Sequence, residues 1–236
     1  MIDYDRFEAF TFDCYGTIID WERGIVEASG PLLDHHDVDE LPAEQLLELF
    51  GRLEAEAEGG PFRPYRDVLT EVALGIQGEM GLRRDLDRAA AFADSVGRWP
   101  SFPDSPSALA ALGGKYRLAI VSNVDDDLFQ GSAAQLGIDF DEIVTAQQVR
   151  SYKPAPGHFH EVLRRLDLPV ERVLHVAQSL YHDIVPAGAL GFTTVWVDRR
   201  DGRDGGGATP SARAEPDVVV ADLASLAKEA GTCRAP

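Results

Sequence analysis

The chain has 236 residues, 44% of them hydrophobic and 26% charged, with a formal net charge of −18. That length and composition suit one large core with a smaller inserted or appended unit. The acidic excess argues against a nucleic-acid partner, which needs clustered Lys and Arg. The first strand-like run is Ala9–Phe12, and it is continuously apolar rather than alternating, as in strands buried on both faces of a parallel sheet. Residues 21–100 then read as helices without a convincing strand: Glu22–Leu33, Pro42–Glu58 with Pro42 suited to the first helical position, Tyr65–Met80 and Leu86–Val96. From residue 104 onward strands and helices alternate. Helix-like Ser105–Gly113 precedes the run Leu118–Val121, Asp126–Leu136 precedes Glu142–Thr145, and Gly157–Leu166 precedes Val173–Val176. Ile184–Leu190 is the next helix, followed by runs at Thr194–Val197 and Val218–Val220, and Gly137 and Gly191 stand where helix C-caps belong.

Alternation of this kind predicts an α/β fold, a doubly wound, Rossmann-like parallel sheet. The expected division is a core of residues 1–20 and 99–236 with a helical cap of residues 21–98, lying over the carboxyl edge of the sheet where such folds place ligands. Asp198–Pro210, rich in Gly and charge, reads as a mobile loop. Cys14 and Cys233 lie at opposite ends and suggest no disulfide framework. No apolar stretch approaches the roughly 18–20 residues that span a bilayer. The N-terminus lacks the basic and apolar regions of a signal peptide. The expectation is a cytoplasmic protein with no membrane and no nucleic-acid partner, and exposed apolar surface on the insertion leaves room for a homodimer.

Four polar clusters follow strand ends. Asp13 comes directly after the first run, in Phe12-Asp13-Cys14-Tyr15-Gly16-Thr17, where it reads either as a helix or turn cap or as a buried carboxylate with a chemical purpose. Gly16 permits a tight turn that would aim successive backbone N–H groups into a small anion nest. Ser122 and Asn123 end the next strand and can donate to an oxyanion or a substrate carboxylate, or cap a helix. Lys153 sits before Pro154, which keeps it out of a helix; a solvated surface lysine is the plain alternative. Asp183, in Gln178-Ser179-Leu180-Tyr181-His182-Asp183, lies near a helix start, so capping competes with chemistry there too.

The order Asp, Ser/Asn, Lys, Asp at four successive strand ends resembles the motif set of the haloacid dehalogenase superfamily across nearly the whole chain. The resemblance implies that Asp13 is a covalent nucleophile, that Ser122 and Asn123 bind substrate, that Lys153 steadies the carboxylates and that Asp183 is the fourth-motif acid. Phosphatases of the superfamily carry a second Asp two residues after the nucleophile and a GD pair in the fourth motif. Here those places hold Tyr15 and Gln178, a poor set for a hard dication. The string DCYGT instead resembles the 2-haloacid dehalogenase branch. This implies a hydrolase that needs no metal or cofactor and that displaces halide from C2 of a small carboxylic acid through an aspartyl ester, with Mg²⁺-dependent phosphatase activity as a further alternative.

In that branch an arginine of the insertion commonly receives the leaving anion. Arg52 is the candidate, with Arg23 and Arg66 behind it, and a solvated helix arginine is the alternative reading. Tyr15, Trp21 and Gln178 are the remaining candidate substrate contacts, and Phe62 could join Trp21 in an apolar pocket, although both also suit plain core. The strings TFDCYGTIIDWE, LFGR, SYKP and SLYHD, with the tail RRDGRDGGGAT, also resemble azetidine-2-carboxylate hydrolases, dehalogenase-like enzymes that open a strained ring. That likeness implies a ring amine as leaving group, protonated on departure by His182 or Tyr181.

Overall fold

The computed structural model describes residues 2–33, 41–200 and 207–232. Its centre is a six-stranded parallel sheet in the order β3-β2-β1-β4-β5-β6, formed by Ala9–Phe12 (β1), Arg117–Ser122 (β2), Glu142–Thr145 (β3), Val173–Ala177 (β4), Thr193–Val197 (β5) and Val218–Val220 (β6). Successive residues of each strand face opposite layers. Phe10, Phe12, Ile120 and Val176 pack into one apolar layer, while Ala9, Ala119, Val121 and Val173 face the other with Phe159 and Phe192. Burial of both faces explains the uninterrupted apolar runs. Phe12 pairs with Ile120 on one side and Val176 on the other, so the ends of β1, β2 and β4 stand level. The chain leaves β1 in one direction for β2 and β3, then returns to its other side for β4, which makes the end of β1 the switch point where such sheets bind ligands.

The insertion after β1 folds as Trp21–Leu32 (α1), Ala43–Glu58 (α2), Tyr65–Glu79 (α3) and Leu86–Ala93 (α4). Leu46, Leu47, Phe50, Val68, Leu69, Val72 and Phe92 give these helices a shared apolar interior. The sheet is covered by Ser105–Gly113 (α5), Asp126–Leu136 (α6), Ala146–Val149 (α7), Gly157–Leu166 (α8), Val185–Ala189 (α9) and Leu223–Glu229 (α10). Among the described residues no helix is long and apolar enough to cross a membrane.

Several contacts tie the insertion to the rest. Pro64 precedes α3 and offers no side-chain cap; the carboxylate of Asp125 accepts from the N–H groups of Tyr65 and Arg66 instead, both at 2.9 Å. Arg200, just beyond β5, donates to Glu22 of α1 at 2.7 Å and to Glu44 of α2 at 2.6 Å. A Cβ at Gly51 would lie 2.5 Å from the Ala208 carbonyl oxygen, so α2 rests directly on the backbone of the segment between β5 and β6.

Some boundaries differ from the sequence expectation. Pro42 precedes its helix in an extended conformation, and α2 starts at Ala43. The helix expected to reach Val96 stops at Ala93, where the Ser95 hydroxyl donates to the Phe92 carbonyl, and a 3₁₀ turn, Val96–Arg98, follows. The helix expected over Ile184–Leu190 is a π-type turn, Leu180–Ile184, continued by α9. Helices α7 and α10 were not expected at all. Residues 201–206 of the anticipated 198–210 loop, and Cys233, lie outside the described residues.

Candidate active site

Asp13 leaves β1 with its N–H donating to the Val176 carbonyl, and the residue is buried, 6% exposed. Its Oδ2 accepts from the Thr17 hydroxyl at 2.7 Å and its Oδ1 from Lys153 Nζ at 2.9 Å. The same ammonium donates to Asp183 Oδ1 at 2.6 Å and to the Val121 carbonyl at 2.9 Å, so all three Lys153 protons are engaged. Lys153 is held there by Asn123, whose Oδ1 accepts from the Lys153 N–H at 2.7 Å and whose Nδ2 donates to the Lys153 carbonyl at 3.2 Å. The Lys153–Pro154 peptide is cis. Burial pushes the Asp13 carboxyl up, with the Asp183 charge adding to it and Lys153 and Thr17 opposing. Asp183 is buried as well, but Lys153 and His175 overcome that cost and bring it down to about 2. One cation therefore keeps the inner carboxylate ionised and leaves the outer one the more basic, which suits a nucleophile.

A histidine stands behind Asp183. His175 Nε2 lies 3.1 Å from Asp183 Oδ1, and its Nδ1 lies 2.9 Å from the Thr11 hydroxyl. Both anchors of Asp183 thus meet Oδ1. Asp183 Oδ2 is buried with no hydrogen-bond partner among the described residues, and so is Ser122 Oγ.

These groups line a cavity together with Tyr15, Trp21, Glu54, Glu58, Tyr65, Asn123, Ser179, His182 and Thr209. Asp13, Lys153, Asp183, Tyr15, Ser122, Asn123 and Trp21, all singled out in the sequence, come together here. Other candidates do not. Arg52 is exposed, pairs with Glu56 and Glu79 and lies in a separate surface depression, so the expectation that it reaches the leaving anion fails in this structure. The reason is its helix face: α2 turns Phe50 and Glu54 inward and Arg52 outward. Arg23 pairs with Glu27, and Arg66 with Asp94 and Asp127. Phe62 packs on Tyr152. Gln178 is absent from the cavity wall; its backbone carbonyl accepts from Trp196 Nε1 and its N–H donates to the Thr17 hydroxyl oxygen. Tyr181 is exposed, whereas His182 lines the cavity and burial lowers it to about 4, leaving it neutral at pH 7. The expected nest is also corrected: the N–H groups of Gly16 and Thr17 bond within the turn, to Ile19 and Cys14, while Gly16 adopts φ +92°. Ser179, not Asp183, caps the turn after β4, its hydroxyl accepting from the His182 N–H.

Glu54, Glu58, Tyr65, Ser179, Thr209, Thr17 and His175 were not anticipated. Glu54 Oε1 accepts from the Tyr65 hydroxyl at 2.5 Å, and burial raises Glu54 to about 7. Burial and the charge of Glu54 push Glu58 up as well, with Lys153 opposing. A signal for the first was present: Phe50, Glu54 and Glu58 follow one another at the spacing of a single helix face, so a carboxyl interrupts an apolar stripe. His175 is likewise the one titratable residue in Val173–Ala177.

Among the described residues no group of three His, Cys, Asp or Glu side chains is placed to hold a metal ion. A family model for haloacid dehalogenase-like hydrolases matches residues 7–191. The chain is 27% identical over 203 residues to (S)-2-haloacid dehalogenase 1 of Pseudomonas sp. (strain CBS-3), an alignment that covers 83% of this chain and 86% of that one. The crystal structure of the L-2-haloacid dehalogenase PA0810 superposes with a TM-score of 0.80 at 25% identity, over 96% of this chain and 100% of the other. The L-2-haloacid dehalogenase of Xanthobacter autotrophicus shares the fold, with a TM-score of 0.76 at 23% identity over 94% and 97% of the two chains. The chain belongs to the haloacid dehalogenase-like hydrolases, and the similarities that run along nearly its whole length include several 2-haloacid dehalogenases.

Proposed function

We propose that this hydrolase cleaves a bond at C2 of a small carboxylic acid through an ester on Asp13, with the insertion of residues 21–98 acting as a cap. The observation that carries the proposal is the buried ammonium of Lys153 bridging Asp13 and Asp183 while Asp183 Oδ2 has no hydrogen-bond partner among the described residues. A carboxylate oxygen of Asp13 attacks C2, and the electron pair of the breaking bond leaves with the departing group. Water then attacks the ester carbon of Asp13, giving its proton to Asp183 Oδ2, and the 2-hydroxy acid departs with the oxygen that Asp13 supplied. Ser122 and Asn123 receive the substrate carboxylate.

Halide is the leaving group that the named relatives suggest, and 2-haloalkanoic acids are then the substrates. A ring amine, as in azetidine-2-carboxylate, is the second reading. It is favoured by one observation: the cavity wall that faces the core carries Glu54 and Glu58, and the candidate arginines point elsewhere. Single-turnover reaction in H₂¹⁸O with 2-chloropropionate and with azetidine-2-carboxylate, read by intact mass, tests both. Asp13 gains the label before product does with whichever acid is the substrate, and Asp13→Asn abolishes turnover. Product labelled in the first turnover, with Asp13 unlabelled, eliminates the ester.

A further inference from the structure

The two sides of the cavity differ. On the core side Ser122, 1% exposed, lines the cavity, and its Oγ is buried with no hydrogen-bond partner among the described residues, so its hydroxyl is left to donate. On the insertion side stand two carboxyls of α2, Glu54 and Glu58. Four carboxyl groups in all line the cavity, those of Asp13, Asp183, Glu54 and Glu58, against the one ammonium of Lys153, whose protons are already shared between Asp13, Asp183 and Val121. An anion departing toward α2 meets carboxyl groups and no further cation among the lining residues, whereas a cation there can replace the protons that burial favours on them. The rings of Trp21, Tyr15 and Tyr65 line the same space, and aromatic rings favour cations over anions.

We propose that the pocket takes its substrate as a zwitterion, the carboxylate against Ser122 and Asn123 and a positively charged nitrogen on C2 against Glu54 and Glu58. The assignment rests on the reading that Asp13 attacks C2, and it gives the two glutamates the role of deciding which 2-substituted acids enter. Tyr65 fixes Glu54 from behind through its 2.5 Å bond, so the carboxyl is aimed before substrate arrives. In the empty pocket burial holds a proton on Glu54 up to about pH 7; a bound cation takes that proton's place.

L-Proline and (S)-tetrahydrofuran-2-carboxylate differ by one ring member, NH₂⁺ against O, and neither carries a strained ring or halide. Calorimetric titration above the range in which Glu54 titrates reads the preference directly. Wild-type protein binds L-proline about tenfold tighter or more, and the ratio falls toward one in Glu54→Gln and in Glu58→Gln, each checked for native circular dichroism. Equal affinities, tighter binding of the oxygen ring, no binding of either acid, or a ratio that survives both substitutions overturns the proposal. Because these probes report binding alone, the ester reading stands or falls separately, on the isotope label at Asp13.

Discussion

At the scale of single residues, the site is a set of carboxyls told apart by their neighbours. Asp183 is held at Oδ1 by Lys153 and His175, which leaves Oδ2 without a hydrogen-bond partner among the described residues. On the proposed ester route His175 acts as a positioning residue, and its loss is expected to slow the water step more than the attack on C2. His175→Leu is expected to accumulate the Asp13 ester in intact-mass spectra, with turnover down by about tenfold or more, while His175→Gln restores part of it. Equal slowing of both steps would count against that role. Glu54 gives a second expectation with a definite sign. Its folded pKa, about 7, lies above the unfolded value near 4.5, so the folded state binds the extra proton in between. The stability of wild type relative to Glu54→Gln is therefore full below about pH 4.5 and falls as pH rises through 7, by on the order of 3 kcal/mol. Urea denaturation at the two ends of that window measures it; a flat difference means that Glu54 does not titrate high. The sequence made Asp13, Ser122, Lys153 and Asp183 legible because each follows a strand end. It hid His175 and Glu54 because each sits inside an element whose pattern otherwise reads as core.

At the scale of elements, strands were the most legible, since burial on both faces leaves a continuous apolar run that little else of that length explains. The helices of the insertion were legible as helices, but which side chains they aim at the site was not. Arg52 and Glu54 are two residues apart on α2, and the turn of the helix sends one to solvent and the other inward. Helices α7 and α10 span four and seven residues, too short to show a period. The N-terminus of α3 is held from outside its own chain neighbourhood. Asp125 precedes α6, yet its carboxylate makes no bond to the amides of α6 and caps α3 instead. Tyr65, the first residue of α3, carries the hydroxyl that orients Glu54. Asp125→Ala is expected to cost about 1–2 kcal/mol in denaturant unfolding and to raise KM more than it lowers kcat, because it loosens the wall and leaves the proposed nucleophile Asp13 in place.

At the scale of the molecule, the charge of −18 bears on substrate choice as well as solubility. A simple carboxylic acid approaches this protein against its field, whereas a zwitterion, neutral overall, does not. The pocket also draws on three separate stretches of chain: the strand ends of the core, helices α1 to α3, and the segment that follows β5. That third stretch has a practical meaning for exchange between relatives. Gly51 of α2 rests on Ala208, and Thr209 beside it lines the cavity. A chimera that transplants residues 21–98 alone would seat α2 on a foreign backbone and leave the donor's Glu54 and Glu58 facing an unmatched wall. Substrate preference should travel between homologues only when residues 207–209 move with the insertion, so the two stretches form one heritable unit although more than a hundred residues separate them.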